Sequence, residues 1–191
     1  FTGAVSLTGT TTQISDASAL TLGTLSTGDL TVTSNGALNL GSGTTGALTA
    51  TSNGGAITQN GPLVVAGAAD LQAGTGAITL TNAGNDFQST VVLNNSGANN
   101  VAVTDTNAIQ LAASSVGSGT LAVVAGGAIT QTGAITQAAA AGAASFTTGA
   151  ALITLTQAND FTGAVSLTNT GANNVAVTDT NAIQLGSLSL G

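Results

Sequence analysis

The sequence predicts an all-β repeat protein, a parallel β-solenoid of about ten coils. The first observation is a repeat, because the residues from Gly97 to Leu111 return unchanged as Gly171 to Leu185, at an offset of 74 positions. The second is that apolar residues fall in short segments that alternate with small or hydroxyl side chains, which is typical of strands. The third is an aromatic content of 2%, which indicates a narrow core of Val, Leu, Ile and Ala.

The composition excludes several classes of protein. The chain has no Lys, Arg, His, Cys or Glu, and seven Asp residues give it a net charge of −7. Nucleic acids and anionic membrane surfaces are bound through Lys and Arg, so we expect neither as a partner. Disulfides and thiolate metal sites need Cys, so this chain can form neither. The longest run of small apolar residues, Ala138 to Ala144, is far shorter than the roughly 20 residues that span a bilayer, so we expect no membrane insertion.

The repeat divides the chain into modules at about residues 1–86, 87–160 and 161–191, the last of them incomplete. We therefore expect a slice of a longer array. In the first module, Asn-Gly pairs at Asn35 and Asn53 predict tight turns between strands. This module is longer than the second by 12 positions, and we expect the surplus to form an additional coil near residues 29–46. Its predicted strands centre on residues 4–7, 19–22, 30–32, 38–40, 48–50, 63–65, 71–73 and 78–80.

The second and third modules repeat the same short strands. The second begins near Phe87 and the third near Phe161, each after an Asn-Asp pair. No stretch shows the apolar spacing of an amphipathic helix, and the many β-branched residues disfavour one. The predicted strands centre on residues 91–93, 101–103, 109–111, 121–123, 129, 135, 153–155, 165–167, 175–177 and 183–185.

Strands this short suit a chain that winds once per ~20 residues and stacks each coil on the last. We divide residues 101–174 into coils of 101–119, 120–142, 143–160 and 161–174. Ten coils at ~4.8 Å each give a rod of roughly 50 Å. The side chains that we expect inside the rod are equivalent residues of two modules: Val101, Val103, Ile109, Leu111, Val175, Val177, Ile183 and Leu185.

The repeated sequence motifs resemble those of a known family of proteins. Ala4-Val-Ser-Leu-Thr8, Leu30-Thr-Val-Thr-Ser-Asn-Gly36 and Gly55-Ala-Ile-Thr-Gln59 are similar to repeats of large secreted bacterial β-solenoids, the filamentous-haemagglutinin-like proteins of two-partner secretion and autotransporter adhesins. The resemblance implies a right-handed parallel β-helix, an outer-membrane transporter as partner during secretion, and an extracellular location on the bacterial surface. It also implies a role in adhesion, biofilm matrix or surface filaments.

Catalytic and metal sites find little support in the sequence. Asp is the only titratable side chain present, and acid–base catalysis by paired carboxylates would need two of them in contact. We therefore expect no enzyme and no cofactor. Asp105 with Asn107, and Asp179 with Asn181, resemble the start of a calcium loop, but the closing Glu of an EF-hand is missing. We favour turn residues that cap their own backbone, and keep calcium as an open alternative.

Surface properties suggest two interactions. Thr-x-Thr motifs such as Thr31 to Thr33 and Thr49 to Thr51 could form a Thr-ladder surface that binds ice or glycan, which is the alternative function. The main expectation is a structural or adhesive segment, a stiff fibre or stalk. Because the surface carries few charges, little electrostatic repulsion keeps rods apart. We therefore expect self-association with neighbouring solenoids or filament subunits.

Overall fold

A computed structural model describes all residues from 1 to 191. It is an all-β parallel solenoid of about nine turns, so the predicted fold class is confirmed. The structure has no helix with the length and apolar character needed to cross a bilayer. The strands are β1 (Val5–Asp16), β2 (Leu20–Ser34), β3 (Leu38–Asn39), β4 (Ser42–Thr45), β5 (Leu48–Thr51), β6 (Ile57–Thr58), β7 (Leu63–Val65), β8 (Ala69–Gln72), β9 (Ile78–Leu80), β10 (Asp86–Phe87), β11 (Thr90–Asn94), β12 (Val101–Asp105), β13 (Ile109–Leu111), β14 (Ser114–Val116), β15 (Leu121–Ala125), β16 (Ile129–Gln131), β17 (Ile135–Gln137), β18 (Ala144–Thr148), β19 (Ile153–Asn159), β20 (Val165–Thr168), β21 (Val175–Asp179) and β22 (Leu185–Ser189).

Strand pairing divides the rod into three faces. Face 1 consists of the start of β2 with β3, β6, β9, β12, β15, β18, β20 and β22. Face 2 consists of the middle of β2 with β4, β7, β10, β13, β16, β19 and β21. The end of β13 reaches the corner with face 3, where Leu111 pairs with Val91 of β11. Face 3 consists of the end of β2 with β5, β8, β11, β14 and β17. Every pairing is parallel, because each coil lies on the one before it.

The core is a set of apolar columns along the rod axis. Alternate residues of each strand point inward, and parallel pairing places each one over its counterpart in the neighbouring coil. Burying a side chain of this size contributes about 1.5–3 kcal/mol. The first column of face 1 contains nine residues, spaced 18 to 23 positions apart: Leu20, Leu38, Ile57, Ile78, Val101, Leu121, Ala144, Val165 and Leu185.

This column corrects the predicted coil boundaries. From the second module onward, successive coils begin face 1 at Val101, Leu121, Ala144 and Val165. The predicted piece 161–174 is therefore not a coil, because Phe161 ends one turn and Val165 starts the next. The Asn-Asp-Phe motif marks the start of a sequence module. A coil, in contrast, begins where the chain returns to face 1.

The predicted core residues divide by module. Val101, Val103, Ile109 and Leu111, in the second module, are fully buried. Their third-module copies lie in the last two coils, where Val175 and Val177 are partly buried. Ile183 and Leu185 are 37% and 52% exposed. The difference arises because no coil covers the last one in this structure.

The sequence module and the coil have different periods. Val101–Asp105 forms β12 on face 1, whereas its identical copy Val175–Asp179 forms β21 on face 2. One module therefore advances the chain by three coils plus one face. Identical sequences lie on different sides of the rod, turned by one third of a revolution.

The first module advances four coils plus one face, one coil more than the second. Asp16 ends β1 beside Ser34, at the corner between faces 3 and 1, and Asp105 lies at the corner between faces 1 and 2. The first module thus contains one additional coil, which we expected near residues 29–46. Coils in this region are short, and the step from Leu20 to its partner Leu38 is the shortest in the column.

Glycines allow the coils to approach at one corner. Gly36, Gly55 and Gly76 follow one another up the corner between faces 3 and 1. A Cβ on Gly76 would lie 1.9 Å from the carbonyl oxygen of Gly55, and one on Gly55 would lie 2.2 Å from the carbonyl carbon of Gly36. Only glycine fits this spacing, since carbon and oxygen cannot approach so closely.

Candidate functional site: a repeated polar corner and the groove beside it

A buried amide pair joins two coils at the corner between faces 1 and 2. Asn85 is fully buried, and its Nδ2 donates to Gln59 Oε1 at 2.9 Å while Gln59 Nε2 donates to Asn85 Oδ1 at 2.7 Å. Asn85 also accepts from the backbone N–H of Leu63 at 3.0 Å and donates to the carbonyl of Leu80 at 3.0 Å. The side chain therefore has partners for its donor and its acceptor.

The next module contains the same pair at the next corner. Asn159 is fully buried and exchanges hydrogen bonds with Gln131 at 2.8 and 3.0 Å. It accepts from the N–H of Ile135 at 2.9 Å and donates to the carbonyl of Leu155 at 3.1 Å. This pair lies at the corner between faces 2 and 3, because each module ends one face further around the rod than the module before it.

An aspartate in the following coil completes each corner. Asp105 is buried, and its carboxylate accepts the backbone N–H of Phe87 at 3.0 Å and that of Asn107 at 2.9 Å. Asp179 accepts the N–H of Phe161 at 3.2 Å. Desolvation by burial raises the pKa of Asp105 above the ordinary value for a carboxyl group, although its two backbone hydrogen bonds act in the opposite direction.

Gln, Asn and Asp thus form one unit that joins three successive coils, which we call the polar latch. One latch comprises Gln59, Asn85 and Asp105, and the other comprises Gln131, Asn159 and Asp179. Sequence reasoning missed the Gln and Asn members. The signal was present, because the motifs Gly-Ala-Ile-Thr-Gln and Asn-Asp-Phe both recur. In the sequence alone, however, a repeated polar residue indicates a turn, and its partner in another coil is visible only in the structure.

A groove opens on face 2 directly beside the first latch. Asp86–Phe87 (β10) pairs with β7 below, but no ladder joins it to β13 above, because the Asp105 side chain takes the place of a backbone acceptor. The opening has a volume of about 510 Å³. Its polar lining consists of Asp86, Gln88, Ser89, Asn107, Gln110 and Thr130.

A second opening, without side-chain amides in its lining, lies on face 1 at Phe1. Residues Phe1 to Ala4 lie below Ala19 and Thr21 there and line a volume of about 270 Å³. At Phe87 a backbone N–H donates to Asp105, whereas the terminal ammonium group of Phe1 forms an ion pair with Asp16 at 2.6 Å. This contact lowers the pKa of Asp16 to about 2. On face 3, Asn181 donates to Asp160 as Asn107 donates to Asp86.

Three of the four residues considered for calcium bind the backbone or a neighbouring side chain. Both oxygens of Asp105 accept backbone N–H groups, and the Asn107 amide donates to Asp86 at 3.0 Å. Asn181 donates to Asp160 in the same way. Asp179 differs, because one of its oxygens accepts the N–H of Phe161 while Oδ2 is buried without a hydrogen-bond partner. The fold brings no three Asp side chains together, and the arrangement can cap backbone groups and join coils.

The Thr-x-Thr motifs are in register over two coils. Thr31 and Thr33 lie beside Thr49 and Thr51 on the outer side of face 3. In the next coil the same columns continue with Asp70 and Gln72. The regular hydroxyl surface therefore ends after two coils.

Comparison with protein families matches residues 27–94 and 98–168 to repeats of unknown function (DUF5649). The two matched segments lie on either side of residues 95–97 and together cover most of the chain. No curated protein and no solved structure matches it.

Proposed function

We propose that this chain, which belongs to the family of DUF5649 repeats, is a stiff structural segment of a large protein on the bacterial surface. It would act as a fibre or stalk in adhesion or in the cohesion of a biofilm matrix. The observation that supports this most is the apolar column of nine residues that runs from Leu20 to Leu185 without interruption. A rod whose coils share one core resists bending, because bending separates packed side chains.

The polar latches support the same role. Each one joins three coils through the hydrogen bonds around a fully buried asparagine, and leaving that amide without partners is costly. The chain also has no Lys or Arg, so trypsin-like proteases find no cleavage site. Both properties suit a protein exposed to shear and to secreted proteases.

The resemblance to filamentous-haemagglutinin-like and autotransporter repeats supports the finer features of the proposal. These are secretion through an outer-membrane transporter, an extracellular location and association with neighbouring solenoids. We assign the segment no catalytic role, since Asp105, the aspartate closest to Asp86, is occupied by two backbone N–H groups. The Thr-ladder alternative is less favoured, because the hydroxyl register on face 3 ends after two coils.

Labelling and deletion in the native bacterium test the proposal. An antibody against the segment should label intact cells or matrix fibres. A protease of broad specificity, which needs no Lys or Arg, should remove the label from intact cells, whereas trypsin should leave the segment itself uncut. Deletion of the array, with the remainder of the protein retained, should reduce surface adhesion or matrix cohesion under flow. Label confined to the cytoplasm, or unchanged adhesion and cohesion after deletion, would contradict the proposed function.

A further inference from the structure

We propose that the groove on face 2 beside Phe87 binds a neutral, hydroxyl-rich polymer, a polysaccharide strand. The inference deepens the proposed matrix role and rests on it for its biological context. The binding itself depends only on the groove.

The contacts beside the groove recur in the next module. The backbone N–H of Phe87 donates to Asp105 and that of Phe161 donates to Asp179, so a carboxylate replaces a backbone acceptor in both places. Asn107 donates to Asp86, and Asn181 donates to Asp160 in the same way. The amide-lined opening itself lies at Phe87.

The lining of the largest groove defines the class of ligand. Asp86 accepts hydrogen bonds from Asn107 at 3.0 Å and from Gln88 at 2.8 Å, which fixes both amides beside the opening. Each amide keeps a carbonyl oxygen and one N–H for a ligand, and Gln110, Ser89 and Thr130 add further donors and acceptors. Vicinal hydroxyl groups match such a surface, because each can donate and accept.

Charge and shape exclude other classes. A phosphate, sulfate or uronate ligand would meet the Asp86 carboxylate with no Lys, Arg or His on the chain to offset it. A ligand that binds by stacking would find no ring, because Phe87 is 2% exposed. The volume of about 510 Å³ lies within the roughly 300–1,000 Å³ of small-molecule sites. It suits one or two sugar units of a chain that continues along the open surface.

A single groove of this kind should bind weakly. Rods that associate side by side, as proposed above, would present several grooves to one polysaccharide strand, and linked weak sites gain affinity through their high effective concentration.

Titration of the 191-residue chain with cellohexaose and with maltohexaose, followed by amide-detected NMR, tests the inference. We expect shifts of the side-chain amide signals of Gln88, Asn107 and Gln110, with millimolar affinity for at least one of the two sugars. The double variant Asn107→Ala/Gln110→Ala should weaken binding at least fivefold. Gln13→Ala removes an exposed amide outside the grooves and should leave the affinity unchanged.

Three results would overturn the inference. They are the absence of shifts at saturating sugar, an affinity that the double variant leaves unchanged, and preferential binding of trigalacturonate or calcium ions. None of them would affect the proposed stiff fibre, which is tested by labelling and deletion in cells. Conversely, cytoplasmic label would remove the fibre role and leave sugar binding in vitro intact.

Discussion

At the scale of the residue, the buried amides of Asn85 and Asn159 explain why the polar motifs around them repeat in a protein whose core is largely apolar. A buried polar group destabilises a fold unless all its hydrogen bonds are made. Both side chains meet this condition through a glutamine in the coil below and backbone groups on either side. An adjacent register would leave the amides without partners, so the latches fix how the coils align.

Substitution of Asn85 by Ala should lower the free energy of unfolding by about 2–4 kcal/mol, because the buried N–H of Leu63 and the half-buried amide of Gln59 would lose their partner. Urea unfolding followed by circular dichroism measures the change. Asn174→Ala, at an exposed asparagine without a side-chain hydrogen bond in the structure, should stay within about 0.5 kcal/mol. Equal effects of the two substitutions would contradict the latch.

Asp105 gives the stability a pH dependence of predictable sign. Burial raises the pKa of this carboxyl group above its ordinary value of 3.8, so the folded chain holds the proton more tightly than the unfolded chain. The contribution of Asp105 to the free energy of unfolding should therefore be largest below pH 3.8, and it should fall as pH rises through the raised pKa. The pKa of Asp16 is lowered to about 2, so its opposite contribution is lost only below pH 3.8.

Urea titrations between about pH 4 and 7 therefore isolate Asp105. The unsubstituted chain should lose stability across this range, and Asp105→Asn should lose less, because Asn does not titrate. The slope is the informative quantity, since Asn also replaces one acceptor oxygen by a donor and lowers stability at every pH. Identical slopes for the two chains would show that Asp105 is not the group responsible.

At the scale of the element, each short strand presents one side to the core and the other to solvent. Val123 and Val124 are neighbours in β15, with Val123 fully buried and Val124 41% exposed. Val123→Asp would place a carboxylate in the column between Val103 and Phe146, where it has no partner. We expect a loss of more than about 4 kcal/mol.

Val124→Asp is the matched control for this prediction. It adds the same charge one residue away, on the solvent side, and should cost less than about 1 kcal/mol through strand propensity alone. Thermal unfolding of both variants distinguishes the two sides of the strand. Comparable losses would mean that β15 does not lie in the assigned orientation.

The glycine corner gives a prediction about turns. Gly76→Ala should destabilise the chain by several kcal/mol or prevent folding, since its Cβ would lie 1.9 Å from the carbonyl oxygen of Gly55. In Gly149→Ala the nearest atom is the carbonyl oxygen of Gly126 at 3.6 Å, an ordinary contact. The second substitution should change stability by no more than about 1 kcal/mol. Tolerance of Ala at both positions would contradict the coil spacing at this corner.

At the scale of the whole molecule, the sequence predicts the solenoid because period-two segments, a long exact repeat and a core without large rings admit few other folds. Val101, Val103, Ile109 and Leu111 are buried as their alternation indicates. The latches and grooves were not predictable in the same way, because they depend on which corner each repeat reaches. Coil length varies along the rod, and a module does not contain a whole number of turns. The sequence alone therefore does not tell which corner a repeated motif occupies.

The turn of one face per module gives the rod its overall character. The two latches, which would otherwise lie along one side, lie at the corner between faces 1 and 2 and at the corner between faces 2 and 3. The hydrogen bonds that join the coils are therefore not confined to one side of the rod.

Cryo-electron microscopy of the native full-length protein tests the central claim, a continuous rod built from modules that turn by one third of a revolution. We predict uniform rods with an axial repeat of ~4.8 Å, in which the corners bearing Asn85 and Asn159 lie on different sides. Compact particles, flexible strings of separate domains, or rods with both asparagines on the same side would contradict it.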